Sequence, residues 1–369
     1  VKLNEPADIW RLKGTWNVRL YNPYIKESWI NELGVMLKST PISNFALRQD
    51  FERQLASYCG CEYTVAVNSG TSAILIGMIA MGLKQGDTVI GPNYGQIAWA
   101  NACRFLGINV IALDVREDNF CLNENLVDAY LTLHSGKVQA VCYINQGGYT
   151  GSQLEDCVDV CKKHNVIFLE DSCNAIGQWY NEKHAGTFGD IGFISFGVPK
   201  LLTCGEGGAI LIKDEATYKI CDDIAYQGGW YAPPMHSRLN LGINFVMPAH
   251  NAYFLSKQLE DINELLEMRD NVSAMYSFGG LNLRRFHQAP SIYEYYSKQP
   301  LKVLQKGSSL KTQFLLKSYA TINKWVNDLN IPTPVSIDLE EHILTLPASL
   351  DLDQNSIDMV LAAIKLGEL

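Results

Sequence analysis

Runs of lysine and arginine are missing from this sequence, and its charge balance leans the other way: 30 basic residues against 39 acidic ones leave a net charge of −9. The electrostatic footprint of a nucleic-acid binder is therefore absent, and no DNA or RNA partner is expected. Long apolar runs are missing too. The longest ones, such as residues 73–80, fall well short of the roughly 20 residues that cross a bilayer. The first residues are polar and charged rather than a signal-peptide core, so a soluble cytoplasmic protein with no membrane partner is expected. Ten cysteines are present, but the pairs Cys59/Cys61 and Cys157/Cys161 have neither the spacing nor the histidine partners of a zinc site. No metal is expected, and thiols set in apolar stretches, such as Cys103, Cys142 and Cys161, read as reduced core residues. The chain has no internal repeat and no low-complexity tract.

What is present is a chain of 369 residues, 47% hydrophobic, ample for a buried core and for two domains. From about residue 63 to 213, short β-rich runs alternate with helical stretches. Strands are expected at 63–67, 88–90, 110–114, 138–144, 166–169, 191–195 and 209–212, with a helix over 72–83. Several of these runs are apolar throughout, as strands covered on both faces must be. The pattern predicts a mainly parallel sheet in an α/β sandwich, whose ligands gather at the carboxyl ends of the strands. Past residue 251 the character changes to one long amphipathic helix over 252–268, an irregular tyrosine-rich segment, and a C-terminal helix from about Gln354. A large α/β domain over 1–250 and a small domain over 251–369 are expected.

Three motifs carry chemistry. Asn68, Ser69, Gly70, Thr71 and Ser72 lie between a strand and the helix after it, where small residues leave the first N–H groups open to a phosphate. The same residues also make ordinary helix caps. Glu170 and Asp171 follow the apolar run 166–169, so a carboxylate there lies in the ligand crevice and could pair with a protonated ring nitrogen. Alternatively, Asp171 is the N-cap of a helix with Asn174 in its first turn. The third motif runs from Ser195 through Lys200 to the glycines at 205, 207 and 208. A lysine on such a turn can lose enough solvation to attack an aldehyde as a neutral amine, although a solvated lysine beside a tight connection has the same residues. Together the motifs supply a phosphate cradle, an acid for a pyridine nitrogen and an amine for an aldehyde, the three handles of pyridoxal phosphate.

These residues resemble the pyridoxal-phosphate-dependent sugar aminotransferases of the DegT/StrS type, over residues 42–269 in consistent order. The resemblance implies fold type I: a mainly parallel central sheet sandwiched by helices, plus a small C-terminal α+β domain. It implies Lys200 as the imine-forming lysine and proton carrier, Asp171 as partner of the pyridine nitrogen, and Thr71, Ser72 and Ser195 around the phosphate. Asn174 stands where a Gln or His approaches the cofactor's phenolic oxygen. Asn244, in a Gly-x-Asn segment, would reach the phosphate of the other subunit, which makes the expected form a homodimer with shared active sites. Two positions depart from the family: Gln96 replaces an aromatic that stacks on the cofactor, and Val246 replaces an arginine. The activity implied is transfer of an amino group, from glutamate, to a keto sugar carried on a nucleotide. Two alternatives stand beside it. One is another reaction of the same cofactor on a keto sugar, such as dehydration, although relatives that dehydrate carry histidine where Lys200 stands. The other is a non-catalytic binding or regulatory protein on the same fold.

Overall fold

Five-residue runs rich in Val, Ile, Ala and Leu form the seven strands of the main sheet, and nearly every residue in them is buried. The computed structural model describes residues 22–41, 44–228, 242–281, 283, 293–297, 321–322 and 331–368. The helices are α1 (Glu27–Ser39), α2 (Phe45–Cys59), α3 (Gly70–Ala80), α4 (Ala98–Phe105), α5 (Glu124–Leu133), α6 (Ser152–His164), α7 (Glu215–Ala225), α8 (Ala249–Glu260), α9 (Ile262–Phe278), α10 (Pro334–His342) and α11 (Gln354–Glu368). The strands are β1 (Tyr63–Val67), β2 (Thr88–Pro92), β3 (Asn109–Leu113), β4 (Ala140–Ile144), β5 (Ile167–Asp171), β6 (Trp179–Tyr180), β7 (Lys183–His184), β8 (Ile191–Ser195), β9 (Gly208–Ile212), β10 (Tyr293–Tyr296) and β11 (Ile343–Leu346).

Seven strands form one sheet in the order β1-β9-β8-β5-β4-β2-β3. Only β9 runs against the others, pairing antiparallel with both β1 and β8. Alternation along each strand sends side chains to opposite faces. Val65 and Val67 face α3, α4 and α7 in a cluster with Ile74, Trp99 and Ile224. Ala66 faces the other side, where α2 and α8 pack through Phe51, Leu55 and Leu255, while α5 and α6 cover Val141 and Phe168 with Val127, Leu131 and Leu154. The sandwich is thus α/β with both sheet faces covered, and all ten cysteines are unpaired.

Local chemistry sets the helix ends. Asn44 caps α2 by accepting from Ala46 N at 3.0 Å, and Gly60 closes it with φ +69°. The single helix expected over 252–268 is two helices, because the chain breaks at Asp261. Its carboxylate accepts from Lys26 Nζ at 2.9 Å and Trp29 Nε1 at 2.8 Å, contacts that bind α1 across the break. The expected tyrosine-rich segment falls largely outside the described residues, as does residue 42. No helix among the described residues is long and apolar enough to cross a membrane.

Beyond α8, residues Val272, Tyr276, Leu344, Leu346, Val360 and Leu361 make a separate apolar cluster. These C-terminal elements reach the carboxyl edge of the sheet over β2, β3 and β4. Asp114, just after β3, accepts from Ser336 N at 2.8 Å, Ser336 Oγ at 2.5 Å and Val335 N at 3.0 Å, and so caps α10 from outside. Asn93, just after β2, donates to Thr333 Oγ1 at 2.7 Å, and Gln146, beyond β4, donates to Glu294 Oε1 at 2.9 Å. The other half of that edge, over β5, β8, β9 and β1, is where the sequence motifs meet.

Candidate active site

Helix α3 begins two residues before the expected start because Ser69 caps it. Ser69 Oγ accepts from Ser72 N at 3.1 Å and pairs with Ser72 Oγ at 2.8 Å, while Ser72 Oγ donates to Asn68 Oδ1 at 2.7 Å. The cap reading therefore holds for Ser69, and the hydroxyl of the buried Ser72 is committed to that network. Left over at the helix start are the N–H groups of Gly70 and Thr71, which have no acceptor among the described residues, and the exposed Thr71. Two unfilled donors at the positive end of a helix form an anion site.

The cradle closes because two glycines let other elements approach. A Cβ on Gly70 would lie 2.9 Å from Ser195 Cβ and 3.1 Å from Cys173 Sγ. One on Gly208 would lie 2.4 Å from Ser69 O and 2.6 Å from Gly70 N. Ser195, the last residue of β8, thereby stands beside the helix start, as its assignment to the phosphate requires.

Asp171, the last residue of β5, is 1% exposed, and no helix follows it. A turn does instead: Asp171 Oδ1 accepts from Cys173 N at 3.0 Å, and Ala175 N donates to Ser172 O at 2.9 Å. The N-cap alternative for Asp171 thus fails. Its second oxygen, Oδ2, is buried without a hydrogen-bond partner. Burial pushes this carboxyl up from its ordinary value, opposed by hydrogen bonds from Cys173 and by the charge of Lys200. Lys200 reaches the same place from the turn after β8, and its Nζ donates to Asn174 Oδ1. Burial lowers the Lys200 pKa, with Cys173 and Asp171 pulling it back up. Lys200 also lines an opening with Asn22, Tyr24, Pro199, Arg269 and Leu350.

The remaining candidates lie further out. Gln96 is exposed on the loop after β2, and its side chain makes no hydrogen bond among the described residues. Asn244 is exposed as well. Its segment runs along the free edge of β1, where Asn68 N donates to Phe245 O at 2.8 Å, and its Oδ1 accepts weakly from Val246 N at 3.4 Å.

Glu170 was given no role by the sequence, yet it organises the floor of the site. Its Oε1 accepts from Asn145 Nδ2 at 2.9 Å, Ser172 Oγ at 3.2 Å and Gly186 N at 2.6 Å, and its Oε2 from Phe188 N at 2.9 Å and Gly189 N at 3.0 Å. The only hint in the sequence is the glycine-flanked turn at 186–189, whose N–H groups need an acceptor.

A buried carboxylate oxygen without a donor, two open N–H groups at a helix start and a partly buried lysine fit pyridoxal phosphate. Asp171 would meet the ring nitrogen, the start of α3 and Ser195 the phosphate, and Lys200 the aldehyde. Comparison with known proteins points to the same cofactor. The model of the DegT/DnrJ/EryC1/StrS aminotransferase family matches residues 23–365, and the chain belongs to that family, whose cofactor is pyridoxal phosphate. The match extends on both sides of the resemblance read over 42–269. GDP-perosamine synthase of Caulobacter vibrioides is 30% identical over 233 residues, 62% of this chain and 60% of that protein. The namesake from Escherichia coli O157:H7 is 28% identical over 276 residues, 73% of each. In three dimensions, the E. coli GDP-4-keto-6-deoxy-D-mannose-3-dehydratase with bound hydrated PLP superposes with a TM-score of 0.84 at 18% identity, covering 95% of this chain and all of that one. The fold-type-I architecture expected from the sequence is therefore the one observed.

Proposed function

We propose that this protein transfers an amino group, with glutamate as donor, to a keto sugar carried on a nucleotide. The observation that carries the proposal is the meeting of Lys200 and the half-paired Asp171 beside the open start of α3. When bound, pyridoxal phosphate supplies an aldehyde that exchanges amines and a ring that takes up electrons. Asp171 would face the ring nitrogen, and its unpartnered Oδ2 would accept a hydrogen bond from the proton carried there. Lys200 would hold the aldehyde, and its Nζ, when free, would carry a proton to or from the substrate carbon. Glu170 keeps the turn at 186–189 against the strand that presents Asp171, so the acid does not drift. The lysine at position 200 also argues against dehydration, since the resemblance ties that reaction to histidine there. The names of the two GDP-perosamine synthases support a nucleotide-linked sugar as acceptor.

The same proposal divides the chain into a large unit over 1–250 and a small one over 251–369. It makes the protein a homodimer in which Asn244 acts on the partner's phosphate, and its ten unpaired thiols suit the cytoplasm. The test of the activity is reduction with borohydride in the presence of pyridoxal phosphate, followed by peptide mapping and by assay with glutamate and a panel of nucleotide keto sugars. Label on Lys200 alone, with amine transfer to at least one sugar, is expected. Label on another lysine, or none, would overturn the site. Sharing of the site is read by mixing inactive Lys200→Ala and Asn244→Asp subunits: recovery of activity supports it, and none refutes it.

A further inference from the structure

Lys200 has a hydrogen-bond partner that the resemblance does not assign to it. Asn174 stands where a Gln or His would face the cofactor's phenolic oxygen, but its Oδ1 accepts from Lys200 Nζ. Chemistry fixes which end of the amide faces the lysine. An ammonium has three donors and no acceptor, so only the oxygen suits it. The amide is also buried. Asn174 is 2% exposed and sits in the turn locked by the bonds of Cys173 N to Asp171 and of Ala175 N to Ser172.

From this geometry we infer that Asn174 is a positioning residue for Lys200, docking its free amine at a fixed point whenever the cofactor is not attached to it. The inference rests on the reading of Lys200 given above and adds the place where the lysine waits. A lysine on a four-carbon stem has many rotamers to lose, and an acceptor held by the neighbouring turn selects one of those positions. The acceptor is neutral. A carboxylate there would hold the proton on Lys200, whereas an amide oxygen steadies it against burial and still lets it leave. The charged and titratable groups facing Lys200 are Asp171 and Cys173 from the end of β5 and the turn after it, with Arg269 of α9 and Tyr24 lining the same opening. None of them has Asn174's combination of direct contact and neutrality.

The experiment uses the full chain without cofactor, so its result is independent of whether the protein transfers amines. Lysines are acetylated competitively with acetic anhydride across a pH series, and the labelling of the Lys200 peptide is read by mass spectrometry. This is done in wild type, Asn174→Ala, Asn174→Asp and Asn174→Gln, each checked for folding by circular dichroism. The labelling midpoint is expected to move down in Asn174→Ala and up in Asn174→Asp, with Asn174→Gln between wild type and Asn174→Ala. At pH 7 the Lys200 peptide should label several-fold faster in Asn174→Ala than in wild type. A midpoint that is the same in wild type and folded Asn174→Ala overturns the inference. Should Asn174→Ala not fold, Asn174→Asp, which keeps the side chain's size, decides alone: no upward shift overturns it. Borohydride mapping that missed Lys200 while these shifts appeared would sink the proposed function and leave the docking contact standing.

Discussion

The carboxyl edge of the sheet has two halves built from similar residues and put to different use. Over β2, β3 and β4, side chains bond to the C-terminal elements, Asp114 to the start of α10, Asn93 to Thr333 and Gln146 Nε2 to Glu294, although Gln146 Oε1 is buried without a partner. Over β5, β8 and β1, groups are left open, namely Asp171 Oδ2 and the N–H groups of Gly70 and Thr71. The contrast sharpens at two consecutive residues. Glu170 collects five donors, and Asp171, one residue on and pointing to the other face, has an oxygen with none. Burying an unmatched polar atom is costly, and of these two neighbours only Asp171 bears that cost; under the proposed function the cofactor's ring nitrogen would meet it.

The largest effects are expected on the open half. Lys200→Ala should still bind pyridoxal phosphate through the α3 start and Ser195, yet lose turnover by at least about a thousandfold, since in the proposed reaction the amine both holds the aldehyde and carries the proton. Cofactor titration beside steady-state assay separates the two. Loss of affinity and turnover by equal factors would mean that Lys200 serves only to bind. Asp171→Asn comes next. It removes the charge proposed to keep the ring nitrogen protonated, so turnover should fall by at least about a hundredfold with the cofactor retained. Near-normal turnover in that variant would erase the distinction between the two halves.

Much of this edge was legible in the sequence, because strands buried on both faces must be apolar throughout and ligands of such sheets collect at one end. Strand β1 and strand β8 start and stop where the sequence places them. The rest was hidden for definite reasons. Strand β9 is antiparallel, but burial on both faces gives the same apolar run in either direction. The break at Asp261 depends on Lys26 and Trp29, more than two hundred residues earlier. Glu170 and Asp171 look alike as letters, and what separates them is a turn sixteen to nineteen residues further on whose N–H groups point at only one of the two.

The saturated carboxylate next to the site gives the third prediction. In Glu170→Gln one oxygen becomes an amide nitrogen, which must face N–H or O–H donors on whichever side it takes. The loss of a charged acceptor shared by several donors should cost about 2–3 kcal/mol of stability, read as a lower midpoint in urea unfolding. Stability within about 0.5 kcal/mol of wild type, the range of an ordinary surface change, would mean that the turn at 186–189 does not depend on Glu170.

The smallest effect is expected at the far end of the same edge. Asp114 does for α10 what Ser69 does for α3, filling N–H groups at a helix start, but it acts across 221 and 222 residues of sequence. Asp114→Ala should therefore cost what a lost cap costs, about 1–2 kcal/mol. Borohydride labelling of Lys200 in the presence of cofactor should be unchanged, because Asp171, Lys200 and the start of α3 all lie on the other half. Both readouts bear on the comparison. A drop in labelling as large as the drop in stability would mean that the C-terminal elements help to shape the open half, and that the two halves act as one. Lost stability with full labelling is the outcome that keeps them apart, with partners supplied by the chain on one side and by the cofactor on the other.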